Sequence, residues 1–167
     1  MSGRFLVLLI VVALAIGGGT TAFSGGADPV SAGTGRVVRV VDGDTIHVML
    51  PSGVKEKVRY IGVDTPESVH PSKPVQCYAK AASARNAELV ADEEVRLETD
   101  AEERDRYGRL LAYVYRERDG LFVNEALVRE GYATPLTIPP NVAHAEDFRD
   151  LAASAREADR GLWRACS

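Results

Sequence analysis

Residues 58–67 read V-R-Y-I-G-V-D-T-P-E and combine a strand pattern with three charged side chains. Their alternating valine and tyrosine side chains predict a β-strand, and Pro66 prevents further pairing beyond it. Arg59 places a fixed positive charge on the strand. Asp64 and Glu67 place two carboxylates where the strand ends. Such a grouping of cation and carboxylates in one short segment indicates a candidate site.

Two other segments carry matching groups. An acidic turn, D-G-D-T, occupies residues 42–45, and a second arginine, Arg109, ends the run R-Y-G-R at residues 106–109. Each feature alone has a plain explanation, because Asp and Gly are common in turns and Arg109 could simply pair with Asp105. Two acidic turns together with two separated arginines indicate a divalent cation and a phosphate bound side by side.

Composition limits what the chain can bind. It has 167 residues, 46% of them hydrophobic and 26% charged, which is typical of one soluble globular domain. A net charge of -4 argues against a protein held on nucleic acid by bulk positive charge. Any nucleic-acid contact must be local and transient. The histidines, at positions 47, 70 and 144, have no metal-binding spacing, so neither zinc nor a histidine base is expected.

The first residues form a separate unit. Residues 1–23 contain Arg4, an apolar run and a glycine triplet, which is the order of a secretory signal. The alternative is an uncleaved membrane anchor, because the apolar part approaches spanning length. Residues 24–35 are expected to be a flexible linker, which leaves residues 36–167 as the folded domain. The predicted location is secreted or extracytoplasmic, with membrane attachment only if the segment is retained.

Cys77 and Cys166 are the two cysteines of the chain. In an oxidising compartment such a pair is expected to form a disulfide, although two unpaired thiols are the alternative. The bond would close a loop of about 90 residues, which stabilises a fold by roughly 4–5 kcal/mol in the chain-entropy model.

Hydrophobic periodicity predicts an α+β fold. Strands are predicted over residues 36–50 with a bend at 42–44, and over 54–63, 94–99, 107–116 and 121–123. Helices are predicted over residues 75–91, 124–130 and 143–160, and the proline-rich segment 135–141 is predicted to be a loop. Hairpin-like groups of strands with interspersed helices indicate a small barrel with helices packed against it.

Five motifs in a fixed order resemble the thermonuclease, or staphylococcal nuclease-like, family. They are V-V-D-G-D-T (40–45), V-R-Y-I-G-V-D-T-P-E (58–67), D-R-Y-G-R-L-L-A-Y-V (105–114), V-N-E-A-L-V-R-E-G (123–131) and G-L-W (161–163). The resemblance covers residues 36–164. It implies an OB-type five-stranded β-barrel with three packed helices, and a calcium-dependent phosphodiesterase that hydrolyses DNA and RNA and leaves 3′-phosphate ends.

The resemblance also assigns roles to residues. The calcium ligands fall on Asp44, Asp64 and the backbone carbonyl of Thr65. The catalytic residues fall on Arg59, Glu67 and Arg109, and the residues that contact the terminal phosphate of the nucleotide fall on Arg106 and Tyr107. Calcium takes roughly six to eight oxygen ligands, so this set is an incomplete cage that water and a phosphate oxygen can complete. Asp42 is interpreted as turn-forming or as a neighbour of the ligands.

The chemistry of these residue types supports the assignment. The planar fork of arginine can grip two phosphate oxygens, and Arg59 and Arg109 would stabilise the charge that develops on them during attack. Glu67 has three open roles: general base, orienter of the attacking water, or hydrogen-bond partner of an arginine. The best-known family member carries an aromatic side chain in the loop before the last helix. The loop 135–141 has none, which affects base packing.

An alternative function is a non-catalytic OB-fold module that binds nucleic acid without cutting it. A decayed nuclease site usually loses an arginine or a metal carboxylate, whereas every catalytic and metal position here holds the expected residue type. The sequence implies DNA and RNA as substrates but no stable protein partner, and a monomer is expected.

Overall fold

The computed structural model describes residues 30–68 and 74–166. Its strands are β1 (Val30–Val40), β2 (Thr45–Met49), β3 (Lys55–Tyr60), β4 (Val63–Asp64), β5 (Glu94–Thr99), β6 (Leu110–Arg116), β7 (Leu121–Phe122) and β8 (Thr134–Pro135). Its helices are α1 (Ala79–Val90), α2 (Val123–Arg129), α3 (Ala145–Glu157) and the short α4 (Leu162–Ala165).

The main sheet closes into a barrel. Its strand order is β3-β2-β1-β5-β6-β7, and a parallel pairing between β3 and β6 closes the first five of these strands into the barrel. The two-residue β7 pairs with β6 beside this closure. The barrel interior is filled by alternating aliphatic side chains that are almost fully buried, among them Val37, Ile46, Val48, Val58, Val95, Leu97 and Val114. The predicted α+β class and the OB-type five-stranded barrel are therefore confirmed, with α4 as a short addition to the three packed helices.

Strand β1 begins earlier than the sequence suggested. Residues 30–35, interpreted above as part of a linker, pair with β5, from Val30 opposite Thr99 to Gly35 opposite Val95. A register shift lies next to Gly33, whose φ of 109° is a conformation that favours glycine. The small residues of this segment look like a tether in sequence, but their backbone groups complete the ladder. The predicted signal or anchor, residues 1–23, lies outside the described residues.

The predicted strand 54–63 is interrupted, which matters for the site. The chain turns at Ile61 and Gly62, and β4 leaves the barrel to pair with β8. Gly62 has a φ of 78°, and a Cβ there would lie 2.5 Å from the ring of Phe148 on α3. Glycine is therefore required both for the backbone conformation and for the close approach of the helix. The turn redirects the chain so that Asp64 and Thr65 lie outside the barrel wall.

Other element boundaries also differ from the predictions. Helix α1 begins at Ala79 rather than residue 75, because Tyr78 has a left-handed φ of 66°. Helix α3 covers Ala145–Glu157 rather than residues 143–160. Strand β6 begins at Leu110 because the Asp105 carboxylate accepts the backbone N–H groups of Tyr107 and Arg109, which folds that segment into a turn.

The predicted disulfide between Cys77 and Cys166 is present, and the two residues are 89 positions apart in the sequence. It joins the segment before α1 to the end of α4. Within residues 30–68 and 74–166, none of the helices has the length and apolar character needed to cross a membrane.

Candidate active site

The acidic turn before β2 packs directly against the segment that follows β4. Asp42 Oδ1 accepts the backbone N–H of Asp44 at 3.1 Å, so Asp42 forms the turn. A Cβ on Gly43 would lie only 2.6 Å from Thr65 Oγ1, and glycine is therefore the residue that lets the two turns touch. Asp44 Oδ2 then accepts both the backbone N–H and the hydroxyl of Thr65, each at 2.8 Å.

Arg59 joins the two acidic turns. Its Nη1 donates to the carbonyl oxygens of Tyr60 at 2.9 Å and Val63 at 2.8 Å. Its Nη2 donates to Asp64 Oδ1 at 2.8 Å, and its Nε lies 3.2 Å from Asp44 Oδ1. The side chain is only 12% exposed. One guanidinium thus contacts both predicted metal carboxylates, and its orientation is fixed by four oxygens.

The carboxylates of this region influence one another. Partial burial raises the pKa of Asp64; Arg59 opposes the shift, and the charges of Asp44 and Glu67 add to it. Burial and then the charge of Asp44 raise the pKa of Asp42 to about 6. Burial and neighbouring carboxylates therefore both oppose the ionisation of Asp42 and Asp64.

The residues where the two turns meet offer oxygen ligands to a cation. Within residues 30–68 and 74–166, no group of three or more His, Cys, Asp or Glu side chains gathers as a metal cage. The predicted set holds only two carboxylates and the Thr65 carbonyl, so it never required such a group. Asp44 and Asp64 are brought to one guanidinium, and all the donors are oxygens, which hard cations prefer. The residues present fit a divalent cation of that type.

Arg109 lies in the turn before β6. Its Nε donates to Asp105 Oδ2 at 2.6 Å. This is the ion pair that the sequence analysis gave as the non-catalytic alternative for Arg109. Burial raises the pKa of Asp105, but hydrogen bonds from Arg109 and Tyr107 outweigh it and hold the pKa below its ordinary value. Because Nε is one of five guanidinium donors, the pair fixes the orientation of Arg109 without using all of them.

Arg106 and Tyr107 lie in the same turn. Arg106 Nη2 donates to the Tyr107 hydroxyl at 2.6 Å, and its guanidinium carbon lies 4.8 Å from the centre of the Tyr107 ring. The guanidinium carbon of Arg109 lies 5.6 Å from the same ring centre. Tyr107 is 69% exposed, so this aromatic ring with its two arginines projects from the surface.

A cleft of about 470 Å³ brings the three arginines together. Its lining includes Arg59 on the barrel wall, Arg106, Tyr107 and Arg109 on the turn, and Leu136 and Ile138 from the proline-rich loop. Leu136 and Ile138 are exposed. They belong to the loop 135–141, which contains no aromatic residue. Asp64 and Thr65 line a neighbouring groove of about 280 Å³. Of the predicted substrate and catalytic residues, the cleft thus holds all but Glu67.

Two buried asparagines that support the site were missed in the sequence. Asn86 on α1 accepts the Tyr60 hydroxyl at 2.9 Å and donates to the carbonyl of Asp42 at 2.8 Å. Asn124 on α2 donates to the carbonyl of Ile61 at 2.9 Å. Both side chains are fully buried, and they tie helices to the turns that carry the acidic groups. A lone asparagine within an apolar helical face was the available signal.

The fold and this cleft define a class of protein, a hydrolase of the nuclease type with an OB-type barrel. The family model described as "Staphylococcal nuclease homologue" matches residues 57–165. The chain belongs to the staphylococcal nuclease family.

Sequence comparison with curated proteins supports the same family. The chain is 41% identical over 130 residues to a thermonuclease of Staphylococcus hyicus, covering 78% of this chain and 75% of that protein. It is 43% identical over 127 residues to a thermonuclease of Staphylococcus intermedius, covering 76% and 74%. It is 44% identical over 127 residues to endonuclease YncB of Bacillus subtilis strain 168, covering 75% of this chain and 59% of that protein.

Proposed function

We propose that this nuclease is a calcium-dependent phosphodiesterase that hydrolyses DNA and RNA and leaves 3′-phosphate ends. The observation that carries the proposal is the position of Arg59, which contacts Asp44 and Asp64 and also lines the cleft that contains Arg109. A phosphate in this cleft would meet guanidinium groups next to the carboxylates proposed to hold the cation.

Asp44, Asp64 and the Thr65 carbonyl would hold the calcium ion. When bound, calcium supplies a Lewis acid that polarises a phosphoryl oxygen. The protein holds one proposed ligand in a fixed position. The backbone N–H and the hydroxyl of Thr65, together with Arg59, fix the orientation of the Asp44 carboxylate. A carboxylate that is already ordered loses little conformational entropy when the cation binds.

Arg59 and Arg109 would bind the phosphate oxygens and stabilise the negative charge that develops on them. Their orientations are set before the substrate arrives, Arg59 by four oxygens and Arg109 by Asp105. Glu67 would accept a proton from the attacking water or orient that water. Arg106 and Tyr107 would hold the neighbouring phosphate, because they project beside Arg109 on the exposed turn.

Substrate selection is proposed to be loose. The loop side of the cleft offers Leu136 and Ile138, which are aliphatic and lack donors that could distinguish one base from another. A base can pack on such side chains through apolar contact alone. Single-stranded and locally opened duplex substrates are favoured, because their backbone reaches a small cleft more easily.

We also propose that the protein works outside the cytoplasm as a monomer. The Cys77–Cys166 disulfide supports an oxidising compartment, since such bonds persist there. The predicted signal or anchor at residues 1–23 is consistent with the same location.

The function is tested by incubating the full chain with denatured DNA, and separately with RNA, in calcium and then in EGTA. We expect degradation in calcium, none in EGTA, and products that carry 3′-phosphates by end-group analysis. Binding without degradation in calcium would instead support the non-catalytic module. Degradation that continues undiminished in EGTA would contradict the proposed cation.

A further inference from the structure

Gln76 holds the backbone of Glu67 from both sides. Its side-chain Oε1 accepts the Glu67 N–H at 2.7 Å, and its own backbone N–H donates to the Glu67 carbonyl at 3.0 Å. The side-chain oxygen and the backbone N–H of Gln76 therefore bond to the two backbone polar groups of Glu67. Such a clamp restricts the backbone torsions of Glu67 and so the direction in which its carboxylate leaves the chain.

The disulfide lies immediately next to this clamp. Cys77 follows Gln76, and both residues line the groove of about 280 Å³ that also contains Asp64, Thr65 and Cys166. Both cysteines are exposed. The bond therefore connects the residue after α4 to the direct neighbour of Gln76, on the side of the site where the proposed cation ligands lie.

The far end of the disulfide is itself anchored. The N–H of Leu162, the first residue of α4, donates to the carbonyl of Gly131 at 2.8 Å. A Cβ on Gly131 would lie 2.4 Å from the carbonyl oxygen of Arg160, so the two segments are in direct backbone contact. A continuous path runs from the end of α2 through α4 and the disulfide to Gln76.

We propose that Gln76 is a positioning residue for Glu67, and that the Cys77–Cys166 disulfide keeps Gln76 in place, so that reduction of this bond lowers turnover. The inference rests on the role proposed above for Glu67. Both hydrogen bonds of the clamp join Gln76 to the Glu67 backbone rather than to Arg59, Arg106 or Arg109, so its loss reduces kcat and leaves KM nearly unchanged.

The redox step is an ordinary thiol–disulfide exchange with a dithiol as the reductant. One thiolate of the dithiol attacks a sulfur of the Cys77–Cys166 bond and forms a mixed disulfide, and its second thiol then displaces the protein sulfur. Cys77 and Cys166 end as two thiols, having gained two electrons and two protons, and the dithiol leaves as a cyclic disulfide. The exposure of both cysteines allows the first attack.

Two substitutions separate positioning from packing. Gln76→Met keeps the length of the side chain but removes the acceptor, whereas Gln76→Glu keeps an oxygen in the same place. At saturating calcium we expect Gln76→Met to lower kcat roughly tenfold with KM within about twofold, because small misplacements of a catalytic group are costly. We expect Gln76→Glu to restore kcat to within about threefold of the wild type. Both should melt within a few degrees of the wild type.

The Glu67→Gln variant shows whether Gln76 affects turnover through Glu67. If Gln76 acts through Glu67, Gln76→Met causes no further loss of kcat in the Glu67→Gln background. A wild-type protein without calcium-dependent cleavage would contradict the proposed function itself. An active wild type whose kcat is unchanged by Gln76→Met, or losses that multiply in the double variant, would overturn the positioning role alone.

The disulfide is tested on the wild-type full chain treated with a dithiol, with the freed thiols counted. We expect the reduced protein to keep its near-ultraviolet circular dichroism, to lose kcat to the level of Gln76→Met, and to show no added loss in that variant. The Cys77→Ser/Cys166→Ser protein should behave in the same way without reductant. Unchanged kcat after complete reduction, or loss of the near-ultraviolet signal, would overturn the proposed control by the disulfide.

Discussion

The two arginines proposed for catalysis are held in different ways. Arg59 is 12% exposed and contacts four oxygens of the barrel wall and its two acidic turns. Arg109 is 27% exposed, lies in a surface turn and is held through Asp105, while its neighbour Tyr107 is 69% exposed. The cleft therefore has one rigid wall and one wall formed by a projecting turn.

The difference suggests a division of work. A group whose hydrogen bonds are already made can stabilise developing charge without reorganising, which is where electrostatic catalysis gains most. A group on an exposed turn can follow the shape of a flexible substrate. We infer that the Arg59 wall serves mainly the chemical step and that the Arg106–Arg109 turn serves mainly the grip on the nucleic acid. Substitutions on the two walls can separate these contributions.

The largest effect is expected from Arg59→Lys. A lysine ammonium has three donors in a compact head and cannot span the four oxygens that Arg59 contacts. We expect kcat on denatured DNA to fall on the order of 10³, with a loss of stability of about 1–3 kcal/mol from unpaired carbonyls. Denaturant melts and steady-state kinetics measure the two terms.

Arg118→Lys is the matched control for Arg59→Lys. Arg118 is 59% exposed and forms an ion pair with Glu93 at 3.2 Å, so the same exchange there should leave kcat within about twofold. An Arg59→Lys protein that retains more than about a tenth of the wild-type kcat would show that the rigid wall is not needed for the chemical step.

A smaller effect on kcat is expected from Arg109→Lys. The turn can adjust, and the lysine can keep its charge near Asp105, so we expect a loss of about 10² with a rise in KM. Single-turnover kinetics at saturating substrate separate the two changes. A loss in kcat as large as that of Arg59→Lys would remove the contrast between the two walls.

The smallest effect is expected from Tyr107→Ala. The ring is exposed, and we expect KM for single-stranded DNA to rise about three- to tenfold, in line with the loss of one stacking or phosphate contact. Its kcat should stay within about twofold, which steady-state assays at several substrate concentrations can measure. A large fall in kcat with constant KM would instead assign Tyr107 to the chemical step, together with the Arg59 wall.

The sequence predicted those parts of the fold whose cause is local. Alternating side chains marked β5 at residues 94–99 with the bounds that the structure has. The D-G-D turn could be recognised because its glycine and aspartates suit a turn on their own. The pattern could not reveal that Gly43 must also admit Thr65, because that contact joins segments more than twenty positions apart.

The features that the sequence did not reveal depend on distant partners. The break after Tyr60 requires Gly62 to pass under Phe148, a residue of the last long helix. Gln76 could not be linked to Glu67, because no local sequence pattern pairs residues nine positions apart across a predicted loop. Residues 30–35 lacked any apolar alternation, and their strand depends on the unpaired edge of β5.

The central claim is that Asp44 and Asp64 hold calcium beside Arg59, and a calcium titration of denatured-DNA hydrolysis tests it most directly. The proteins to compare are the wild type, Asp64→Asn and the control Asp150→Asn on the exposed face of α3. We expect the wild type and the control to saturate at the same calcium concentration. We expect Asp64→Asn to need at least about tenfold more, because a neutral amide is a weaker ligand for a hard cation. Equal calcium dependence in all three proteins, or hydrolysis without calcium, would contradict the claim.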